Sequence, residues 1–180
     1  MKRLLFLISL LAMGLSTGLL NAQEVRMPGL DASPVDIATF RTDDGTAVRV
    51  VYSRPQMKGR EVFGGLVPYD KVWRTGANEA TEITFFQDVK FGDTEVKAGT
   101  YTLFTVPGKE SWQAMLNSEL NQWGAYRADM DKTVAKAGGL VSELDEAVEA
   151  FTIAYKPVDG GVHLVMAWDK TMVEVPIMMN

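Results

Sequence analysis

The stretch from Ser53 to Thr81, SRPQMKGREVFGGLVPYDKVWRTGANEAT, interleaves glycines and prolines with Arg54, Lys58, Arg60, Trp73, Arg74, Asn78 and Glu79. These side-chain types recognise ligands. Arginine forks onto a carboxylate or phosphate with paired donors, asparagine both donates and accepts, and tryptophan offers a flat face to a sugar or an apolar ring. Arg54 precedes Pro55, which holds its backbone extended, and the turn at Lys58-Gly59-Arg60 brings two further cations toward it as an anion site. In WRTGANEAT, Gly76 permits close backbone approach. Each group also has an architectural reading. The cations pair with carboxylates on a solvated rim, Arg74 and Glu79 form a partly buried ion pair, and Thr75 and Asn78 bond the loop's own backbone.

Covalent and metal chemistry find less in the chain. His163 is the single histidine and lies in the strand-like VHLVMAW, facing the same way as Val165 and Ala167. With no second histidine and no cysteine, zinc has no ligand set of the usual spacing, so we assign neither a metal nor a cofactor. Ser53 near Lys58 resembles a serine–lysine pair by proximity alone, no G-x-S-x-G elbow is present, and Gly64-Gly65 lacks the flanks of a nucleotide loop. No catalytic residue is assigned. Asp70 and Glu79, if they flanked a cleft, would suit a carboxylate-based hydrolase, which is the enzymatic alternative. Of the four tryptophans, Trp112 and Trp168 adjoin apolar strands and read as core, whereas Trp73 and Trp123, beside Gly76 and Gly124, read as candidates for a binding surface.

The elements that position these residues are strands. VDIATF at 35–40 and TAVRVVYS at 46–53 flank Asp43-Asp44-Gly45 as a hairpin, with Val48, Val50 and Tyr52 sharing one face. ATEITFFQDVKF, TEV after Gly92-Asp93, GTYTLFTVP and WQAMLN then read as a four-segment antiparallel meander. Tyr126, Met130 and Val134 at four-residue spacing predict one short helix near 125–137, the alternative being a strand that begins near Thr133. EAFTIAYK and VHLVMAW follow around a turn, then Asp169-Lys170 as a tight turn and TMVEVPI, where Pro176 points to a sheet edge or a position just beyond the pairing. Short strands at roughly 8–12-residue spacing predict an all-β antiparallel sandwich, or a barrel-like variant of it.

Lys2 and Arg3 followed by the apolar run Leu4 to Leu20 and Asn21-Ala22 predict a signal peptide over 1–22, cut after Ala22. An N-terminal arm over 23–34, lying on the domain or loose in solvent, and one domain over 35–180 complete the expected organisation. Without Lys2 and Arg3 the formal charge of −5 becomes −7, which disfavours nucleic acid and anionic membrane as partners. Export therefore predicts a periplasmic or secreted protein with no membrane anchor once the signal is removed. The absence of cysteine leaves stability to the core.

SRP, KGR, FGGLVPYDKVWRTGANEAT and KAGTYTLFTVPG resemble the bacterial secreted proteins grouped as domain of unknown function family 2911, from about Ser53 to the last strands. That resemblance implies an exported, mostly β domain and transfers no catalytic residue. Residue types then favour a module that binds a glycan or small anionic ligand, or another envelope protein, through Arg54, Lys58, Arg60, Trp73, Arg74, Asn78 and Glu79. A purely structural envelope protein is the second alternative.

Overall fold

The computed structural model describes residues 25–179, so the signal peptide expected over 1–22 lies outside the described residues. Residues 25–30 have no regular structure and are exposed. From Asp31 onward the chain is one compact unit. It is all-β and antiparallel, with β1 (Val35–Thr42), β2 (Gly45–Ser53), β3 (Glu82–Phe85), β4 (Val89–Phe91), β5 (Thr94–Val96), β6 (Gly99–Pro107), β7 (Ser111–Asn117), β8 (Thr133–Val158) and β9 (Gly161–Met179). The nine strands form a single sheet in the order β1-β2-β3-β6-β7-β8-β9-β4-β5, whose ends do not pair to close a barrel.

Strand alternation decides which face turns inward. Val48, Val50 and Tyr52 of β2 are buried, as are Phe151 and Ile153 of β8 and Val173, Val175 and Ile177 of β9. The sheet bends over on itself so that these faces meet. Tyr52 packs edge-on against Phe151 at 5.8 Å, and Phe40 of β1 lies 5.9 Å from Tyr155. The Tyr52 hydroxyl also accepts the Ile153 N–H at 3.0 Å. One core results, and its centre is aromatic: Phe63, Trp73, Trp112, Phe151 and Trp168 lie 4.9–6.2 Å apart by ring centroid. Such pairs add to simple area burial. On the outer face of the sheet, Ala80, Phe104 and Met115 form a smaller cluster covered by Ala125, Ala128 and Met130.

Three local expectations are corrected and a fourth is narrowed. The helix near 125–137 is absent; among the described residues a single 3-10 turn at Met130–Lys132 precedes β8, which starts at Thr133 as the alternative had it. The spacing of Tyr126, Met130 and Val134 reflected a loop that covers the outer cluster. The meander is also broken, because β3 pairs with β6 while the β4–β5 hairpin crosses to the far edge and pairs with β9. Such pairing is set by distant partners and leaves no local signal. Asp169-Lys170 is an irregularity within one long strand, with Asp169 at φ 53°, and not a turn. Pro176 takes the second of its two expected positions, just beyond the pairing with β8, which stops at Glu174, and before Ile177, which pairs with β4, so its missing donor interrupts neither register.

Trp73→Ala should cost about 3–5 kcal/mol of unfolding free energy, since a large ring leaves the core. Urea denaturation of the two single variants makes the comparison, because Trp123→Ala, with 67% of its residue surface exposed, should stay within about 0.5 kcal/mol of the parent.

Candidate functional site

Trp73 anchors the site. Its N–H donates to the Thr105 carbonyl at 2.7 Å and its own carbonyl accepts from Thr105 N–H at 3.0 Å, so residue 73 is stitched to β6. Its ring enters the aromatic core and its Nε1–H donates to the Gly76 carbonyl at 3.1 Å. The chain then loops out and returns, with Thr81 Oγ1 donating to the Thr75 carbonyl and Leu103 N–H to the Thr81 carbonyl. Gly76 is required at the crossing, because a Cβ there would lie 2.9 Å from the Ser53 carbonyl oxygen. Thr75 and Asn78 hold φ of 57° and 55°. Asparagine tolerates that region, whereas a β-branched residue there is strained. Four of the six non-glycine residues with positive φ among those described, Lys58, Asp70, Thr75 and Asn78, fall between residues 58 and 78. Strain of this kind concentrates where a surface is shaped for use.

Beside this anchor opens a cleft of about 590 Å³ whose lining includes Arg60, Lys71, Trp73, Arg74, Asn78 and Tyr126 and no aspartate or glutamate. That volume suits a small molecule. Its electrostatics run against the chain as a whole, which carries a formal charge of −5. None of Arg60, Lys71 and Arg74 forms an ion pair among the described residues. Arg74 Nε is buried and has no hydrogen-bond partner, and a buried donor left unpaired is costly. Arg60 spends Nε on the Met57 carbonyl and one terminal nitrogen on the Gln56 carbonyl, which fixes its plane at the cleft wall. Asn78 Nδ2 donates to Asp31 Oδ1 at 3.0 Å and so tethers the start of the folded unit to the rim.

The seven residues singled out from sequence therefore divide. Arg60, Trp73, Arg74 and Asn78 line one cleft. Arg54 does not join them: its guanidinium donates to Asp36 Oδ2, the Phe151 carbonyl and Thr152 Oγ1 at 2.8–3.0 Å, binding β1 and β2 to β8. Lys58 is exposed, and its backbone N–H donates to Glu149 Oε1. Glu79 is exposed and faces a separate cavity of about 240 Å³ together with Ser53 and Glu82. The Arg74–Glu79 ion pair is consequently not formed, and Asp70 does not share the cavity that Glu79 lines. Trp73 is 7% exposed, so the expectation that its face lies open as a platform is corrected: its ring serves the core, and only Trp123 of the two stands out in solvent. Ser53 is buried and lines the cavity of Glu79, which Lys58 does not line. Lys71 and Tyr126 were missed. Lys71 lies within the same stretch but carries no motif, and Tyr126 was assigned to the helix that does not form.

His163 has an architectural place. Its Nδ1 lies 2.7 Å from Glu174 Oε2, and Lys156 Nζ reaches the same carboxylate at 2.9 Å. Hydrogen bonds from His163 and then Lys156 hold the Glu174 carboxyl below its ordinary range.

Fold and site together define a curled antiparallel β domain with a cation-lined cleft beside a tryptophan anchor. A family model described as "Protein of unknown function (DUF2911)" matches residues 33–177, and the chain belongs to that family. No curated protein and no solved structure matches the chain.

Asp31 reports on the rim. Its carboxyl is held below the ordinary range by the Ser33 N–H and then by the Asn78 amide. The Asn78 bond is thus made above the ordinary carboxylate range and is lost as pH falls through the lowered value. Asn78→Gly keeps the positive φ and removes the amide donor; a carbon-detected NMR titration should then show the Asp31 pKa move upward, part way toward the usual value because the Ser33 bond remains.

Proposed function

We propose that the chain is an exported binding module whose cleft at Arg60, Lys71 and Arg74 takes a small anionic ligand outside the cytoplasm. The observation that carries this reading is Arg74: a guanidinium with a buried, unpartnered Nε beside two further cations that no carboxylate neutralises. Three like charges around one concavity repel one another, and a bound carboxylate or phosphate relieves that repulsion. The excess of acidic residues over the chain as a whole makes the cation-lined cleft a favoured place for an anion. Export is supported by the basic start and apolar run of the first 22 residues. Asp70 does not reach the cavity that Glu79 lines, so the carboxylate pair named from sequence does not converge; Glu79 shares that cavity with Glu82 instead.

Isothermal titration with citrate and inorganic phosphate tests the cleft. Saturable heat is expected, weakened about tenfold or more by Arg74→Ala, in line with the loss of a charge-assisted hydrogen bond, and weakened by added salt. Arg54→Ala should instead lower stability and leave the anion affinity unchanged. Absence of saturable heat, or heat indifferent to Arg74→Ala in a folded variant, would overturn the reading. N-terminal sequencing of the protein recovered outside the cytoplasm should begin at Gln23.

A further inference from the structure

We infer that the cationic cleft continues onto an aromatic shelf and that its ligand is an acidic saccharide, with a sugar ring stacked on Trp123 and Tyr126 and its anionic group at Arg74. This rests on the anion-binding reading of the cleft. Tyr126 lines both the cleft and an adjoining concavity that includes Glu119, Gln122, Trp123 and Arg127. Trp123 and Tyr126 are 67% and 87% exposed. Two large aromatic side chains side by side in solvent gain nothing for the fold, because their burial would be the stabilising event.

Their backbone is nevertheless pinned. Ala80 N–H donates to the Gln122 carbonyl at 2.8 Å, Gly124 N–H donates to the Asn78 carbonyl at 3.1 Å, and Glu79 bridges to Trp123. Within and just after the shelf, Ala125, Ala128 and Met130 pack onto the outer cluster around Phe104. The aromatic pair is thus fastened to residues 78–80, the same loop that Trp73 anchors and that Arg74 opens. Gly124 shapes the shelf further. At φ 72° it has no side chain, and a Cβ there would stand 2.8 Å from the Tyr126 ring, so the ring lies against bare backbone. Preorganised aromatics of this kind offer contact area at little entropic cost.

The surroundings choose between ring types. Glu119, Gln122 and Arg127 border the shelf with a carboxylate, an amide and a guanidinium. A sugar presents an apolar face rimmed by hydroxyls, which satisfies both the aromatic face and these polar edges. An aromatic ligand would cover the polar groups without bonding them, at a desolvation cost. The cations of the cleft then require that the saccharide bear a carboxylate, phosphate or sulfate.

The test uses the full mature chain with three probes: a galacturonic acid trisaccharide, the corresponding neutral galactose trisaccharide, and citrate. Tryptophan fluorescence and isothermal titration should show the acidic trisaccharide binding more tightly than citrate or the neutral sugar. Trp123→Ala and Tyr126→Ala should each weaken the acidic trisaccharide about tenfold and leave citrate unchanged, while Arg74→Ala should weaken both. If the acidic trisaccharide binds no better than citrate, or Trp123→Ala leaves it unaffected, the shelf is refuted and the cleft stands. If neither binds, both readings fall. Because Trp123 and Tyr126 are exposed, their removal leaves folding intact, which circular dichroism of each variant verifies.

Discussion

Burial of the Trp73 ring among Phe63, Trp112, Phe151 and Trp168 is the constraint on which the rest of the site depends. A ring of that size, once in the core, fixes the backbone on either side of it, and the reciprocal bonds with Thr105 complete the fixing. Everything from Arg74 to Thr81 must then leave β6 and return to it within a few residues. The strained Thr75, the bare Gly76 and the left-handed Asn78 are the local means of making that excursion. The unpaired guanidinium at the cleft is therefore a by-product of core packing one residue earlier, and core and cleft cannot vary independently.

The cations of the stretch have separate tasks. Arg54 gives all three of its guanidinium nitrogens to β1 and β8, and so acts as a clasp between sheet regions distant in sequence. Its side chain is a third exposed and its carboxylate partner more so, which limits the Coulombic share of that clasp. The two uncharged acceptors do much of the holding. Arg60 braces its own turn while its face still borders the cleft. Only Arg74 has no acceptor for a buried donor, which is why it carries the functional reading.

Much of the fold was legible from alternation, because a strand with one buried face writes a period of two into its sequence. Val48, Val50 and Tyr52, or Val173, Val175 and Ile177, announce their inward faces without help from any partner. The β4–β5 hairpin announces itself too, yet nothing near it shows that its neighbour is β9. Pairing between remote segments is decided by the whole sheet. The site was legible as a stretch and illegible as a surface. Residue types marked Ser53 to Thr81, but whether Trp73 faced in or out depended on rings contributed by β7, β8 and β9, and Tyr126 reaches the cleft from a loop whose spacing imitates a helix. Composition locates chemistry; only tertiary packing sorts it into clasp, core and cleft.

The crossing of β4 to β9 bears on how the molecule is made. Residues 89–91 leave the ribosome long before residues 177–179, which are their hydrogen-bonding partners. Until β9 emerges, the β4–β5 hairpin has one open side, an unsatisfied strand edge. Long-range pairing of this kind also slows folding. A hairpin whose partner strand lies this far along the chain completes its pairing late, and until then its open edge is one that other strands could join.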